Sequence, residues 1–168
     1  MTRDGRASPY DVVMRLADRT GAVCYPLPTP VVTETRAERD LLQSQRPYQV
    51  IRELAAKAKV AFLGVGTLDE RAPLLVDGFI TRQEFDQLVA AGAVGEIAGS
   101  AFAADGRLVE SELGFRTTAI PIELPLKRLT IGIAGGRSKG KAIAAALAGR
   151  LLSALITDEG AARVILRR

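Results

Sequence analysis

The chain has 168 residues, 48% of them apolar, enough for one domain with a real core. It contains one cysteine and no histidine, which excludes an internal disulfide, a CxxC metal site, His-based triads and His-ligated metals. The net charge of +4 is scattered and aromatics make up 5% of the chain, so direct nucleic-acid binding is not expected. No apolar run is long enough to span a membrane and no signal-peptide pattern opens the chain, which points to a cytoplasmic protein.

In chain order, residues 1–7 read as a disordered start and residues 8–168 as one domain. Ser8-Pro9 opens a helix, with Ser8 as N-cap and Val12, Val13, Leu16 and Ala17 on one face, closed by Gly21. Ala22 to Leu27 reads as a strand with Cys24 as an inert buried residue, ending in a rigid proline loop, Pro26 to Pro30. A short polar helix follows over Thr35 to Leu42. Pro47 starts another, with Val50, Ile51, Leu54, Ala55 and Ala58 as its apolar face. Val60 to Val65 is continuously apolar, the pattern of a strand buried on both faces.

Thr81-Arg-Gln-Glu84 is a capping box, which is sufficient reason for both Thr81 and Glu84. The helix it opens uses Phe85, Leu88 and Val89 and stops at Gly92. Ala93 to Phe102 reads as extended, and Asp105-Gly106 as a hairpin turn with solvated Glu110 and Glu112 nearby. Thr117 to Ile120 reads as a strand, Pro121 to Lys127 as a connector and Leu129 to Ala134 as a strand. That last strand meets Gly135 and Gly136 and then an alanine-rich helix through Leu147. A strand, a glycine turn and a helix start are a frequent anion-binding arrangement: the backbone can approach and unpaired amides face the ligand. Lys139 adds a point charge to it. Leu152 to Ile156 is a last strand, and Thr157-Asp158 caps a last helix, Glu159 to Leu166. Alternating strands and helices indicate an α/β class.

Several strings recur together in one family. Leu63-Gly-Val-Gly-Thr-Leu68, Pro73-Leu-Leu75 and Ala91-Gly-Ala-Val-Gly-Glu-Ile97 resemble the effector domain of SorC-type transcriptional regulators. Ala103-Ala-Asp-Gly106, Ile133-Ala-Gly-Gly136 with Lys139 and Ala142-Ile143, and Leu155-Ile-Thr-Asp-Glu159 do so as well, in matching order over roughly residues 9–166. The resemblance implies a Rossmann-like, mostly parallel sheet flanked by helices, of the class seen in ribose-5-phosphate isomerase and glucosamine-phosphate deaminase. It implies a non-catalytic domain that binds a sugar or sugar phosphate, with no cofactor and no metal.

By resemblance, Glu96 accepts hydrogen bonds from sugar hydroxyls and Lys139 meets a phosphate. Gly64, Gly66, Gly135 and Gly136 admit the ligand to the backbone, and Arg116 stands where the family has an arginine. Gly114-Phe115 replaces the Asn-Asp pair usual before that arginine, so the pair's hydrogen bonding is lost. The family's helix-turn-helix and first phosphate loop are not visible, so the chain reads as the carboxyl part of a regulator that does not bind operator DNA by itself. Uncovered sheet surface would then favour a homo-oligomer. A small isomerase or deaminase using Glu96 and Lys139, or an interaction module without a ligand, are the alternative readings.

Overall fold

The computed structural model describes residues 12–167. The Ser8 cap, Pro9 and the expected disordered start lie outside them. The helices are α1 (Val12–Thr20), α2 (Arg36–Ser44), α3 (Arg46–Lys57), α4 (Pro73–Val76), α5 (Arg82–Ala90), α6 (Glu112–Arg116), α7 (Gly140–Ala148) and α8 (Glu159–Ile165). The strands are β1 (Val60–Gly64), β2 (Gly66–Thr67), β3 (Ala93–Ile97), β4 (Ser100–Ala103), β5 (Leu129–Ile133) and β6 (Ala154–Ile156). They form a parallel sheet in the order β1-β5-β6 and an antiparallel sheet in the order β2-β3-β4. The expected parallel sheet with flanking helices is therefore present, with a small antiparallel sheet beside it.

Local signals explain most helix ends. The Thr35 and Thr81 hydroxyls accept from the amides of Glu38 and Glu84, and the Asp158 carboxylate accepts from the Ala161 amide. The Thr81–Glu84 box is reciprocal, since the Thr81 amide also donates to Glu84 Oε2 at 2.6 Å. At the end of α1, Gly21 takes φ +68°, and its amide donates to the Ala17 carbonyl at 2.8 Å.

One core cluster joins Ala142, Ile143, Ala145 and Ala146 of α7 to Val65, Ile97, Phe102, Ala134 and Leu151. The alanine-rich face lets α7 sit close to β3, where Gly95 has no side chain to hold Ala142 away. A second cluster gathers Phe79, Ile80, Phe85, Leu88, Ala93 and Leu113 around α5.

Four expectations are corrected. Ala22 to Leu27 forms no strand, and Val23 is exposed. Cys24 is only partly buried, its thiol 3.5 Å from Met14 Sδ, because this segment finds no neighbouring strand to pair with. Ala93 to Phe102 is not one extended segment: Ala98 and Gly99 both take positive φ and fold it into the β3–β4 hairpin. Thr117 to Ile120 is irregular, contributing a single antiparallel bridge to Val32.

The fourth correction concerns β1, which is not buried on both faces. In register, Val60, Phe62 and Gly64 share a face with Leu129, Ile131, Ile133, Ala154 and Ile156. None of these eight is buried, and Phe62 is 57% exposed. The opposite face, with Ala61, Leu63, Thr130 and Gly132, is the covered one. On α3, likewise, Leu54 is exposed, and the buried residue is Tyr48, in the first turn.

Candidate functional site

β1 and β5 run side by side and end together at Gly64 and Ile133. Beyond β1, the chain continues through Val65 into β2, which pairs with β3 so that Gly66 faces Glu96. Beyond β5 come Gly135, Gly136 and a single 3-10 turn, Arg137–Lys139, that leads into α7. Both paths meet where Lys139 Nζ donates to the Val65 carbonyl at 3.0 Å. Gly64, Gly66, Glu96, Gly135, Gly136 and Lys139 therefore lie together at the carboxyl edge of the parallel sheet, the position where open α/β sheets bind ligands.

Glu96 is the centre of this group. Its Oε2 accepts from the Gly99 amide at 3.1 Å, and its side chain lies across Gly66, where any Cβ would run into Oε1. Burial raises the Glu96 pKa above the usual carboxylate value; the Gly99 hydrogen bond and the Lys139 charge oppose this without cancelling it. The site thus holds a carboxylate whose negative charge is only partly satisfied by the protein, beside a lysine within electrostatic reach. Such a carboxylate suits a ligand that brings its own hydroxyl donors.

The glycines divide by cause. Gly66 makes room for Glu96, and Gly135 makes room for Asp158 Oδ2, 2.6 Å from where a Cβ would stand. Gly136 takes φ +97°, and its amide donates to Asp158 Oδ2 at 2.5 Å. That amide was expected to face an anion. Instead Asp158, whose pKa is lowered by the Ala161 and Gly136 amides, ties the glycine turn to the start of α8. Gly64 differs from all three: its φ is ordinary, and a Cβ there would meet nothing within 4 Å. No packing within the described structure requires a glycine at that position.

Arg116 is placed elsewhere. Its side chain is buried, donating to the Thr33 carbonyl at 2.9 Å and pairing with Glu84. It locks α6 to α5 and to the chain before α2, and it does not join the Glu96 group. Glu84, which sequence reasoning assigned to capping alone, therefore also holds a buried ion pair. No signal short of the tertiary contact reveals that pairing, since the partners are separated by 32 residues.

Among the described residues no group of three or more Asp, Glu, Cys or His side chains is arranged to hold a metal ion, and no helix is long and apolar enough to cross a membrane.

Comparison with known proteins agrees with the fold. The family model described as "Putative sugar-binding domain" matches residues 1–167. The erythritol catabolism regulatory protein EryD of Brucella abortus is 35% identical over 166 residues, covering 99% of this chain and 52% of that protein. The transcriptional regulator LsrR of Klebsiella pneumoniae is 31% identical over 170 residues, covering 99% of this chain and 52% of that protein. The chain thus spans about half the length of these curated relatives. Among solved structures, a domain of a possible sugar-binding transcriptional regulator from Arthrobacter aurescens superposes with a TM-score of 0.86 at 27% identity, over 98% of this chain and 64% of that one. Full-length SorC, the sorbitol operon regulator of Klebsiella pneumoniae, superposes with a TM-score of 0.81 at 26% identity, over 89% of this chain and 49% of that one. The chain belongs to the sugar-binding domain family carried by SorC-type transcriptional regulators.

Proposed function

We propose that this chain is the effector-sensing part of a sugar-responsive regulator and binds a phosphorylated sugar or polyol without turning it over. The observation that carries the reading is the convergence of Glu96, Lys139 and the open Gly64 at the carboxyl edge of the parallel sheet. Glu96 accepts hydrogen bonds from sugar hydroxyls. Lys139, released from the Val65 carbonyl, meets the phosphate. Gly64 leaves the backbone open to the ligand. Gly66, Gly135 and Gly136 shape the site through Glu96 and Asp158. The ionised Asp158 repels an anion, which places the phosphate on the Lys139 side of the turn.

The test is a thermal-shift panel of tetritol, pentose and hexose phosphates. Tetritols are included because one relative regulates erythritol catabolism. A ligand that binds only the folded chain raises Tm with concentration. The shift is expected to disappear in Lys139→Ala and Glu96→Gln. No shift from any member, with the protein folded, would reject the reading.

The raised pKa of Glu96 beside Lys139 is also what a proton-transferring isomerase or deaminase needs. That second reading requires ketose–aldose turnover or deamination that is lost in Glu96→Gln. Binding without turnover rejects it.

The chain also self-associates in this reading. The exposed apolar face of β1, β5 and β6 is of the kind that parallel sheets normally cover, and a second copy would cover it. Phe62→Lys should shift sedimentation toward monomer. A wild-type monomer at high concentration would remove this part. The reading gives DNA contact no role in residues 12–167, and a gel shift with the purified chain checks that.

A further inference from the structure

We infer that the chain carries a second ligand site, for a small multiply charged anion, at the end of the parallel sheet opposite Glu96 and Lys139. A cavity of about 930 Å³ opens there between α3, the starts of β1 and β5, and the irregular segment before β5. Four cations line it, Arg39, Arg52, Lys127 and Arg128, against two carboxylates, Glu53 and Glu123. Two of the cations are already engaged. Lys127 Nζ pairs with Glu123 Oε2 at 3.1 Å, and Arg128 donates to the Ala55 carbonyl.

Of the other two cations, Arg39 is ion-paired but keeps an unbonded N–H, and Arg52 is not paired with a carboxylate among the described residues. Arg39 Nε is buried and stands 2.8 Å from Asp40 Oδ1, an ion-pair distance without hydrogen-bond geometry, so its N–H has no hydrogen-bond partner among the described residues. Arg52 has no carboxylate within ion-pair distance among the described residues. It lies one helical turn beyond Tyr48, on the same side of α3. Tyr48 is 2% exposed, and its hydroxyl makes no hydrogen bond among the described residues. All three residues line the same cavity, where burial raises the Tyr48 pKa and the charges of Arg52 and Arg39 oppose the rise.

A buried donor without an acceptor is costly, and Arg39 Nε is such a donor; the guanidinium of the more exposed Arg52 and the Tyr48 hydroxyl line the same polar cavity. A phosphate or carboxylate would accept from all three, and a guanidinium offers it a planar fork. Leu63, Ala61 and Ile122 give the far wall an apolar surface. The occupant is therefore an organic or condensed oxyanion with more than one charged group, larger than a single inorganic phosphate. This site shares no residue with the sugar site, and the two readings stand or fall separately.

The experiment is a thermal-shift titration of the purified chain with pyrophosphate and, separately, citrate at millimolar concentration, with sodium chloride controls of matched ionic strength. A concentration-dependent rise in Tm is expected for at least one probe. Arg52→Gln and Tyr48→Phe should each weaken the apparent affinity roughly tenfold or more, while Lys139→Ala leaves it unchanged. If Arg52→Gln does not fold, Arg52→Lys keeps the charge without the fork and should still bind more weakly. No shift with either probe, or a shift that survives both α3 substitutions, overturns the inference. A shift that Lys139→Ala abolishes assigns the anion to the other end of the sheet and overturns it equally.

Discussion

Two carboxylates in this molecule each lie near a cation, and their environments drive them in opposite directions. Glu84 has several partners: burial acts to raise its pKa, but the Thr81 amide, the Thr81 hydroxyl and Arg116 together hold it below the usual value. Glu96 receives one backbone amide and the charge of a lysine whose ammonium hydrogen-bonds to Val65, and burial prevails. Glu84 is therefore satisfied by the fold, whereas Glu96 retains accepting capacity for something outside it. The comparison separates a structural carboxylate from a candidate binding one without reference to relatives.

The largest expected effect comes from breaking the closed pair. Side-chain exposure is 9% for Arg116 and 19% for Glu84, so truncating either leaves a largely buried charge uncompensated. Arg116→Met should cost about 3–5 kcal/mol in unfolding free energy, read by urea denaturation. Ligand binding by the surviving folded fraction should be unchanged. A loss of affinity without a loss of stability would return Arg116 to the ligand site.

The next effect is a pH dependence of opposite sign at the two carboxylates. Glu84 has a folded-state pKa below its unfolded one, so its contribution is present above the ordinary glutamate value and is lost as pH falls through the depressed one. Glu96 has a folded-state pKa above its unfolded one, so its contribution is complete below the ordinary value and is lost as pH rises through the raised one. Glu96→Gln removes the second dependence. At neutral pH the variant should be more stable than the parent, with the gap closing as pH falls toward the ordinary glutamate value. A Tm difference that does not vary with pH would mean that Glu96 titrates alike in the folded and unfolded chain.

Much of this contrast could be read along the chain, and the part that could not has a common cause. The caps at Thr35, Thr81 and Asp158 are contacts within a few residues, so residue type and spacing specify them. The strand starting at Val60, the glycine turn and the grouping of Glu96 with Lys139 were also legible, the last through motif order. The Arg116–Glu84 pair was not, because nothing near Arg116 indicates that α5 will lie beside it. The bare face of β1 was hidden for a similar reason. A continuously apolar strand reads as two-sided whether or not anything covers its second side. Ala98 was missed because an alanine at positive φ carries no turn signal, and the missed turn made a hairpin read as one strand. On α3 the apolar stripe drew attention from Tyr48 and Arg52, whose significance appears only once a cavity forms between elements distant in sequence.

The smallest expected effects come from two glycines that flank the same site and test what Glu96 occupies. At Gly66 a new Cβ would collide with Glu96 Oε1, so Gly66→Ala must move the carboxylate from its place beside Gly99. That should cost about 1–2 kcal/mol and abolish sugar-phosphate binding together. At Gly64 the new Cβ meets nothing within 4 Å and the backbone is not strained. Gly64→Ala should therefore leave unfolding free energy within about 0.5 kcal/mol of the parent. If Gly64 is bare because a ligand approaches there, the same methyl group should still weaken binding, since it projects from the exposed end of β1. Isothermal titration of this variant with whichever sugar phosphate the panel identifies isolates ligand approach from packing. Unchanged affinity in Gly64→Ala, with affinity lost in Gly66→Ala, would confine the site to the Glu96 side of β2 and leave the end of β1 outside it.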